Sequence, residues 1–192
     1  MKTMKTMKKL MVLSLIVSVF SLVAFKPIEG KLVDKETHIN FFSHTAVEDI
    51  TANNYKVTST VETTTGAVVF SVPMQSFEFD KSLMQEHFNG KNFLNTKKFP
   101  KAKFIGNIDN LSVINFSEDG EYNAMISGEL EIKGEKKAIN EKATITVSEG
   151  TVTLTTKMNL TLADFGISFK KGKPSKNIAK SIEINVKAIY NN

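Results

Sequence analysis

The longest regular pattern in the chain is a strict alternation of apolar and polar residues. In TVTLTTKMNLTL (151–162) the even positions carry valine, leucine, methionine and one threonine, while the odd positions carry threonine, lysine and asparagine. Alternate side chains of a β-strand point to opposite faces, so this stretch predicts one strand of about 40 Å with a single apolar face. The same alternation returns at residues 126–133 and 182–188, and in shorter form at 68–72 and 102–108.

Short turn signals separate these alternating runs. Glycines close polar segments at positions 66, 120, 134 and 150, and the Ser-Glu-Gly sequence at 148–150 predicts a tight antiparallel hairpin. About eight strand-like runs result, and each must cover its apolar face. The pattern therefore predicts an all-β fold, most simply a single antiparallel β-barrel of about eight strands, because closure also removes exposed strand edges. A two-sheet β-sandwich is the alternative.

One segment interrupts the strands with a helical pattern. Asp80 is placed to cap the helix start, and residues 89–90 (Asn-Gly) end it. Four residues share one face at helical spacing, namely Leu83, Met84, His87 and Phe88. We expect this short helix to cover one end of the sheet.

Four of the fourteen phenylalanines lie in HFNGKNFLNTKKFPKAKF (87–104), at gaps of five, six and five residues. Neither a helix nor a strand repeats at that spacing. Pro100 prevents helix continuation and favours an extended backbone at Phe99. The stretch is therefore predicted to form helical turns over the end of the sheet, with phenylalanines pointing into the space that the sheet encloses.

The N-terminus has the features of a secretory signal peptide. Two lysines (8–9) precede an apolar run at 10–25, and small residues lie near its end. Sixteen residues rise only about 24 Å as a helix, less than the roughly 30 Å hydrocarbon core of a bilayer. We expect residues 1–24 to be a signal peptide, cleaved near Ala24, and residues 25–192 to form one exported domain, periplasmic or secreted.

Composition narrows the function classes. The four lysines of the leader account for four of the five net positive charges, so the mature chain carries +1 and is not expected to bind nucleic acid. The chain contains no cysteine, which excludes disulfides, thiolate metal sites and a cysteine nucleophile. About 168 residues remain after the leader, enough for one domain with a real core, which must be stabilised by its own packing.

The residues that bear reactive groups do not form a catalytic pattern. There is no Gly-X-Ser-X-Gly elbow and no glycine-rich phosphate loop. Glu129 and Glu131 are predicted to face solvent together. His38 and His44 share a strand face, but catalytic zinc needs three protein ligands. The sequence therefore predicts no catalytic residues, no metal and no cofactor.

One stretch carries a family resemblance. FSVPMQSFEFDKSLMQEHFNGKNFLNTKKFPKAKFIG (70–106) resembles the YceI-like family, in particular a branch common among Bacteroidetes-type exported proteins. Two weaker similarities follow in the family's order, GELEIKG (128–134) and DFGI (164–167). The resemblance implies a lipocalin-like antiparallel barrel with an elongated apolar tunnel. It also implies a non-covalent ligand of the polyisoprenoid or quinone class, held for sequestration or transport.

The alternation selects the residues expected to line such a tunnel. They are the inward phenylalanines and aliphatic residues Phe70, Phe77, Phe88, Phe93, Phe104, Leu130, Met158 and Leu160. Candidate headgroup contacts are His87, Lys97 and Lys98, the two lysines through transient contact with anionic lipid headgroups at a membrane surface. Two alternatives stay open: a non-catalytic structural or interaction barrel with a filled core, and a homodimer in place of a monomer.

Overall fold

A computed structural model describes residues 28–167 and 174–191 of the 192-residue chain. The predicted signal peptide lies outside these residues. The described residues form nine strands: β1 (Lys31–His44), β2 (Asp49–Glu62), β3 (Ala67–Pro73), β4 (Glu78–Phe79), β5 (Lys101–Ile108), β6 (Gly120–Ile132), β7 (Glu135–Ser148), β8 (Thr151–Thr161) and β9 (Ser181–Asn191).

The long strands form a closed antiparallel barrel. Their order around the sheet is β1-β9-β8-β7-β6-β5-β3-β2, and β1 pairs with β2 to complete the ring. The two-residue strand β4 adds to β2 outside this ring. Eight strands therefore close on themselves, which confirms the predicted barrel and excludes the two-sheet sandwich. The inward faces carry the alternating apolar residues, so the core lies inside the barrel.

Two hairpins follow from the turn residues. Lys133-Gly134 joins β6 to β7 with φ of 56° and 85°, and Glu149-Gly150 joins β7 to β8 with φ of 49° and 80°. Positive φ at both central residues matches the right-handed twist of the strands and fixes their register. The second of these turns confirms the hairpin predicted at residues 148–150.

The ladder between β7 and β8 is incomplete. Hydrogen-bonded pairs join residues 143–148 of β7 to 151–156 of β8 and stop there. Beyond this point β7 continues to pair with β6, and β8 continues to pair with β9. We call the resulting opening, between residues 135–142 and 157–161, the β7–β8 gap.

Short helical segments connect the strands. The helix α1 (Ser82–Asn89) lies between β4 and β5, and α2 (Pro174–Asn177) precedes β9. Single 3₁₀ turns occupy Met74–Ser76, Leu111–Val113 and Leu162–Phe165. Within the described part of the chain, no helix has the length and apolar character needed to span a bilayer.

The predicted helical cap is present, but two of its details are wrong. The residue that precedes the first helical turn is Lys81, and no side chain caps the helix, so Asp80 does not have the predicted role. Of the four residues on the predicted apolar face, only Phe88 is buried and Met84 is half-buried, while Leu83 is 59% exposed. An eight-residue helix on a curved barrel end contacts the core along a narrow line, which leaves the sides of that face in solvent.

A hydrogen-bonded chain of polar groups, most of them buried, lies at the barrel end opposite α1. Thr37 donates to the Asp34 carboxylate at 2.7 Å, so it accepts from Ser59 at 2.6 Å. Ser59 in turn accepts from the Tyr190 hydroxyl at 2.9 Å. The Asp34 carboxylate also accepts from the Ile189 backbone N–H at 2.9 Å, beside a register shift in β1. These bonds satisfy polar groups that would otherwise destabilise the core.

We expect Tyr190→Phe to reduce the loss of stability at alkaline pH. Burial raises the pKa of Tyr190 above its ordinary value, whereas the unfolded chain has a tyrosine pKa of about 10. The unfolded state therefore releases the proton first, and stability should fall above pH 10 by up to about 1.4 kcal/mol per pH unit. In Tyr190→Phe this contribution to the fall of stability with pH is absent. The variant should be less stable than the parent protein by about 1 kcal/mol at neutral pH, because one hydrogen bond is missing.

Urea denaturation at pH 8 to 11 measures this difference. Tyr55→Phe is the matched control, because Tyr55 is 48% exposed. An equally steep alkaline loss in Tyr190→Phe and in the parent protein would contradict the assignment.

Candidate ligand-binding site

The middle of the barrel contains an apolar cavity of about 150 Å³. We call it cavity 1. Inward side chains of β1, β3, β5, β6, β7, β8 and β9 line it, together with Met74. Five of the residues predicted to line the interior contact this cavity, namely Phe70, Phe104, Leu130, Met158 and Leu160.

A second apolar cavity of about 100 Å³, cavity 2, lies beneath α1. The remaining predicted residues, Phe77, Phe88 and Phe93, line it, and Leu160 contacts both cavities. Phe88 is the centre of an aromatic cluster, with ring centroids 5.5 Å from Phe77 and 6.0 Å from Phe93. Such tilted ring pairs stabilise the cluster beyond simple burial.

The phenylalanines of residues 87–104 therefore separate into three positions. Phe88 and Phe93 lie over cavity 2, and Phe104 lies beside cavity 1. Phe99 is half-buried, and its ring packs against Gly134, where a Cβ would lie 3.1 Å from the ring. Their irregular spacing reflects this chain path from the cap, past the β6–β7 turn, into β5.

The two cavities adjoin each other. Four side chains line both of them, Met74, Ile132, Leu160 and Ile184. A long ligand that occupied both cavities would displace these side chains. Methionine is unbranched and changes rotamer readily, so Met74 is the most adaptable part of this partition.

A glycine pair gives Phe104 its position at the cavity wall. Gly106 and Gly128 lie directly opposite each other on β5 and β6. A Cβ on Gly106 would overlap the Ser127 backbone oxygen and would lie 2.6 Å from the tip of the Phe104 ring. A Cβ on Gly128 would lie 2.8 Å from the same ring. The ring therefore lies along the sheet above the glycines and leaves the centre of the barrel open.

Polar groups in the cavity walls are few, and most of them are satisfied. In cavity 1 the Thr156 hydroxyl donates to the Lys142 backbone oxygen at 2.7 Å. In cavity 2 the Ser43 hydroxyl accepts from the Ala179 backbone N–H at 2.9 Å. Each of these hydroxyls already has one hydrogen-bond partner, so the cavity walls offer few unpaired polar groups to a polar substrate. The arrangement suits an apolar guest.

Glu141 is the exception, and it is not among the residues predicted to line the interior. Among the described residues it is the only charged one that lines either cavity. It occupies the inward register of β7, between Ile139 and Ala143, and pairs with Ile126 of β6. A charged residue flanked by apolar residues in the inward register is the sequence signal that indicates such a position.

The three predicted headgroup residues lie outside both cavities. His87, Lys97 and Lys98 are exposed, and the Lys98 ammonium lies 5.1 Å from the centre of the Phe99 ring. Their contact with a headgroup stays a prediction. His38 and His44 do not face each other across a metal site: each bonds a β2 side chain, Asn53 and Asp49 respectively.

A family model and a curated protein are similar to this chain in sequence. A family model described as the YceI-like domain matches residues 31–190. A curated relative, a UPF0312 protein of Shewanella denitrificans, is 28% identical over 120 residues, which is 59% of this chain. The match spans 59% of the length of that relative.

Solved structures share the barrel. A polyisoprenoid-binding domain from Saccharophagus degradans superposes with a TM-score of 0.70 at 11% identity, covering 85% of this chain and 98% of the other. BcnA of Burkholderia cenocepacia gives 0.64 at 15% identity, with coverage of 80% and 95%. A Campylobacter jejuni YceI protein gives 0.56 at 15% identity, with coverage of 90% and 94%. At these identities the likeness shows a common fold.

Proposed function

The chain belongs to the YceI-like family, and from this membership we propose that it is a non-catalytic binding protein that holds a polyisoprenoid or quinone-like amphiphile inside its barrel. The observation that carries this proposal is the pair of adjoining apolar cavities at the centre of the fold. The polyisoprenoid-binding domain of Saccharophagus degradans, which has the same fold, supports the choice of ligand class.

The size of the cavities agrees with an apolar guest. A dry apolar cavity of about 150 Å³ is enough to admit a benzene-sized molecule. Each prenyl unit is about that size, so the two cavities accommodate a short prenyl segment, and a longer one must displace the four shared side chains. Burial of a fifteen-carbon chain stabilises the complex by roughly 10 kcal/mol before the costs of binding.

The alternative, a structural barrel filled by its own side chains, predicts no internal space. The two cavities favour the binding protein over that alternative. An enzyme would require polar groups directed at a substrate, and most of the cavity walls are apolar. The signal-peptide pattern of residues 1–24 supports export.

Native mass spectrometry of the protein, expressed with its leader and purified without detergent, tests the proposal. We expect a bound species of several hundred daltons, which denaturation releases. After delipidation, the protein should take up one molecule of farnesol or geranylgeraniol. A protein that carries no ligand and takes up neither prenol nor a short-chain quinone would exclude the proposed function.

A further inference from the structure

The β7–β8 gap is an opening in the barrel wall that is closed at both ends. At one end the ladder resumes with the pair Ala143–Thr156. At the other end the 3₁₀ turn Leu162–Phe165 lies against β7, and the Lys133 ammonium donates to the Gly166 oxygen at 3.2 Å. The five residues of β8 that have no partner on β7, residues 157–161, extend for about 16 Å. The gap is therefore an elongated window along the side of the barrel.

Cavity 1 lies directly behind this window. Ile139 and Glu141 on the β7 side line the cavity, and so do Met158 and Leu160 on the β8 side. Ile139, Glu141 and Met158 are half-buried, whereas most inward residues in the paired part of the two strands are buried. Cavity 1 is thus separated from solvent here by side chains alone, without a hydrogen-bonded ladder.

The Glu141 carboxylate has no bonded partner within residues 28–167 and 174–191. Its cross-strand neighbour on β6 is Ile126, and the Thr156 hydroxyl on β8 already donates to Lys142. Lys142 itself is exposed on the outer face. A carboxylate can only accept hydrogen bonds, so the donor for Glu141 must come from water or from a bound molecule.

The lysines near the window do not neutralise the negative charge of Glu141. Lys157 forms an ion pair with Glu183 at 2.6 Å, and Lys136 forms one with Glu129 at 2.8 Å. Both pairs lie on the outer surface, where solvent screens them. Lys137 shares the register of Glu141 on β7, but it is exposed and does not line cavity 1, so Glu141 is the charged residue at the cavity wall.

We propose that Glu141 selects the headgroup of the ligand: it accepts a hydrogen bond from a neutral hydroxyl group at the window and excludes carboxylate and phosphate headgroups. This inference rests on the proposed function. It narrows the ligand to apolar alcohols, such as prenols or hydroquinones with prenyl tails. An anionic headgroup would lie beside a second negative charge at the edge of an apolar cavity, where like charges repel more strongly than in open water.

The test compares ligands that share one tail. Delipidated protein is titrated with farnesol, farnesoate, methyl farnesoate and farnesyl phosphate, and binding is measured by native mass spectrometry and calorimetry. We expect farnesol to bind about tenfold to a hundredfold more tightly than either anion. Methyl farnesoate is uncharged and nearly the same size as farnesoate, so it should regain most of the affinity that farnesoate lacks relative to farnesol.

Glu141→Gln should reduce the preference for farnesol over farnesoate to less than about threefold. Glu121→Gln is the matched control, since it removes one acidic charge from an exposed position of β6 and should keep the parent preference. Equal binding of all four ligands by the parent protein, or an unchanged preference in Glu141→Gln, would overturn this inference and leave the proposed function intact. Failure to bind any farnesyl compound would overturn both.

Discussion

Val186→Trp should fold like the parent protein and bind farnesol roughly a thousandfold more weakly. Val186 is half-buried on β9 and lines cavity 1. The indole ring would occupy space that a prenyl unit needs. Displacing five carbons from an apolar site removes about 4 kcal/mol, which corresponds to about a thousandfold in the dissociation constant. Because the cavity receives the added atoms, the strain on the barrel should stay within about 1–3 kcal/mol.

The neighbouring residue on the same strand provides the control. Lys187 is exposed and points away from the interior, so Lys187→Trp adds the same ring outside the barrel. Calorimetric titration with farnesol and thermal melts of both variants give binding and stability together. Parent-like affinity in a folded Val186→Trp protein would show that the ligand does not occupy cavity 1.

The second large effect is expected for Gly106→Ala, which should lower the free energy of unfolding by about 4 kcal/mol or more. The added Cβ would overlap the Ser127 backbone oxygen on the paired strand β6 and would contact the Phe104 ring. Backbone atoms of a ladder move only if the pairing itself is distorted. The substitution should therefore separate β5 from β6 locally and move the Phe104 ring into cavity 1.

Urea denaturation and amide hydrogen exchange measure both consequences. Gly120→Ala is the control on β6, since its Cβ would meet no atom closer than 3.3 Å, in the adaptable Tyr122 side chain. Alanine is favoured over glycine by about 0.5–1 kcal/mol in a strand, so this control should be neutral or slightly stabilising. Parent-like stability and slow exchange of β5 amides in Gly106→Ala would contradict the close packing of the glycine pair.

The sequence predicts the barrel well because a strand shows its inward face directly in the alternation. The runs that became β6, β8 and β9 keep one apolar register over most of their length, and the five strand residues that were predicted to face inward lie beside cavity 1. The short helix was less predictable. Its spacing indicates which residues share a face, but not how much of that face the core covers.

The cavity volume and the end of the β7–β8 ladder cannot be predicted from the alternation of apolar and polar residues. The volume of a cavity is the small difference between the space inside the barrel and the side chains that fill it, so alternation alone cannot give it. The β7–β8 ladder stops at the Ala143–Thr156 pair although β8 continues to Thr161, and the alternation of β8 does not mark this point. Without that gap, Glu141 would be an unexplained charge in a closed wall.

The ring closure has a consequence for the order of folding. The seam joins β1 to β9, and the Asn40–Asn185 hydrogen bond across it connects residues 145 positions apart. The β6–β7 hairpin, by contrast, pairs thirteen consecutive residues around a two-residue turn. Pairings that are distant in sequence form slowly, because a long loop must close before they contribute. A chain that emerges N-terminus first would therefore expose an unpaired edge of β1 until its last strand arrives, and a chaperone that shields this edge would assist its maturation most.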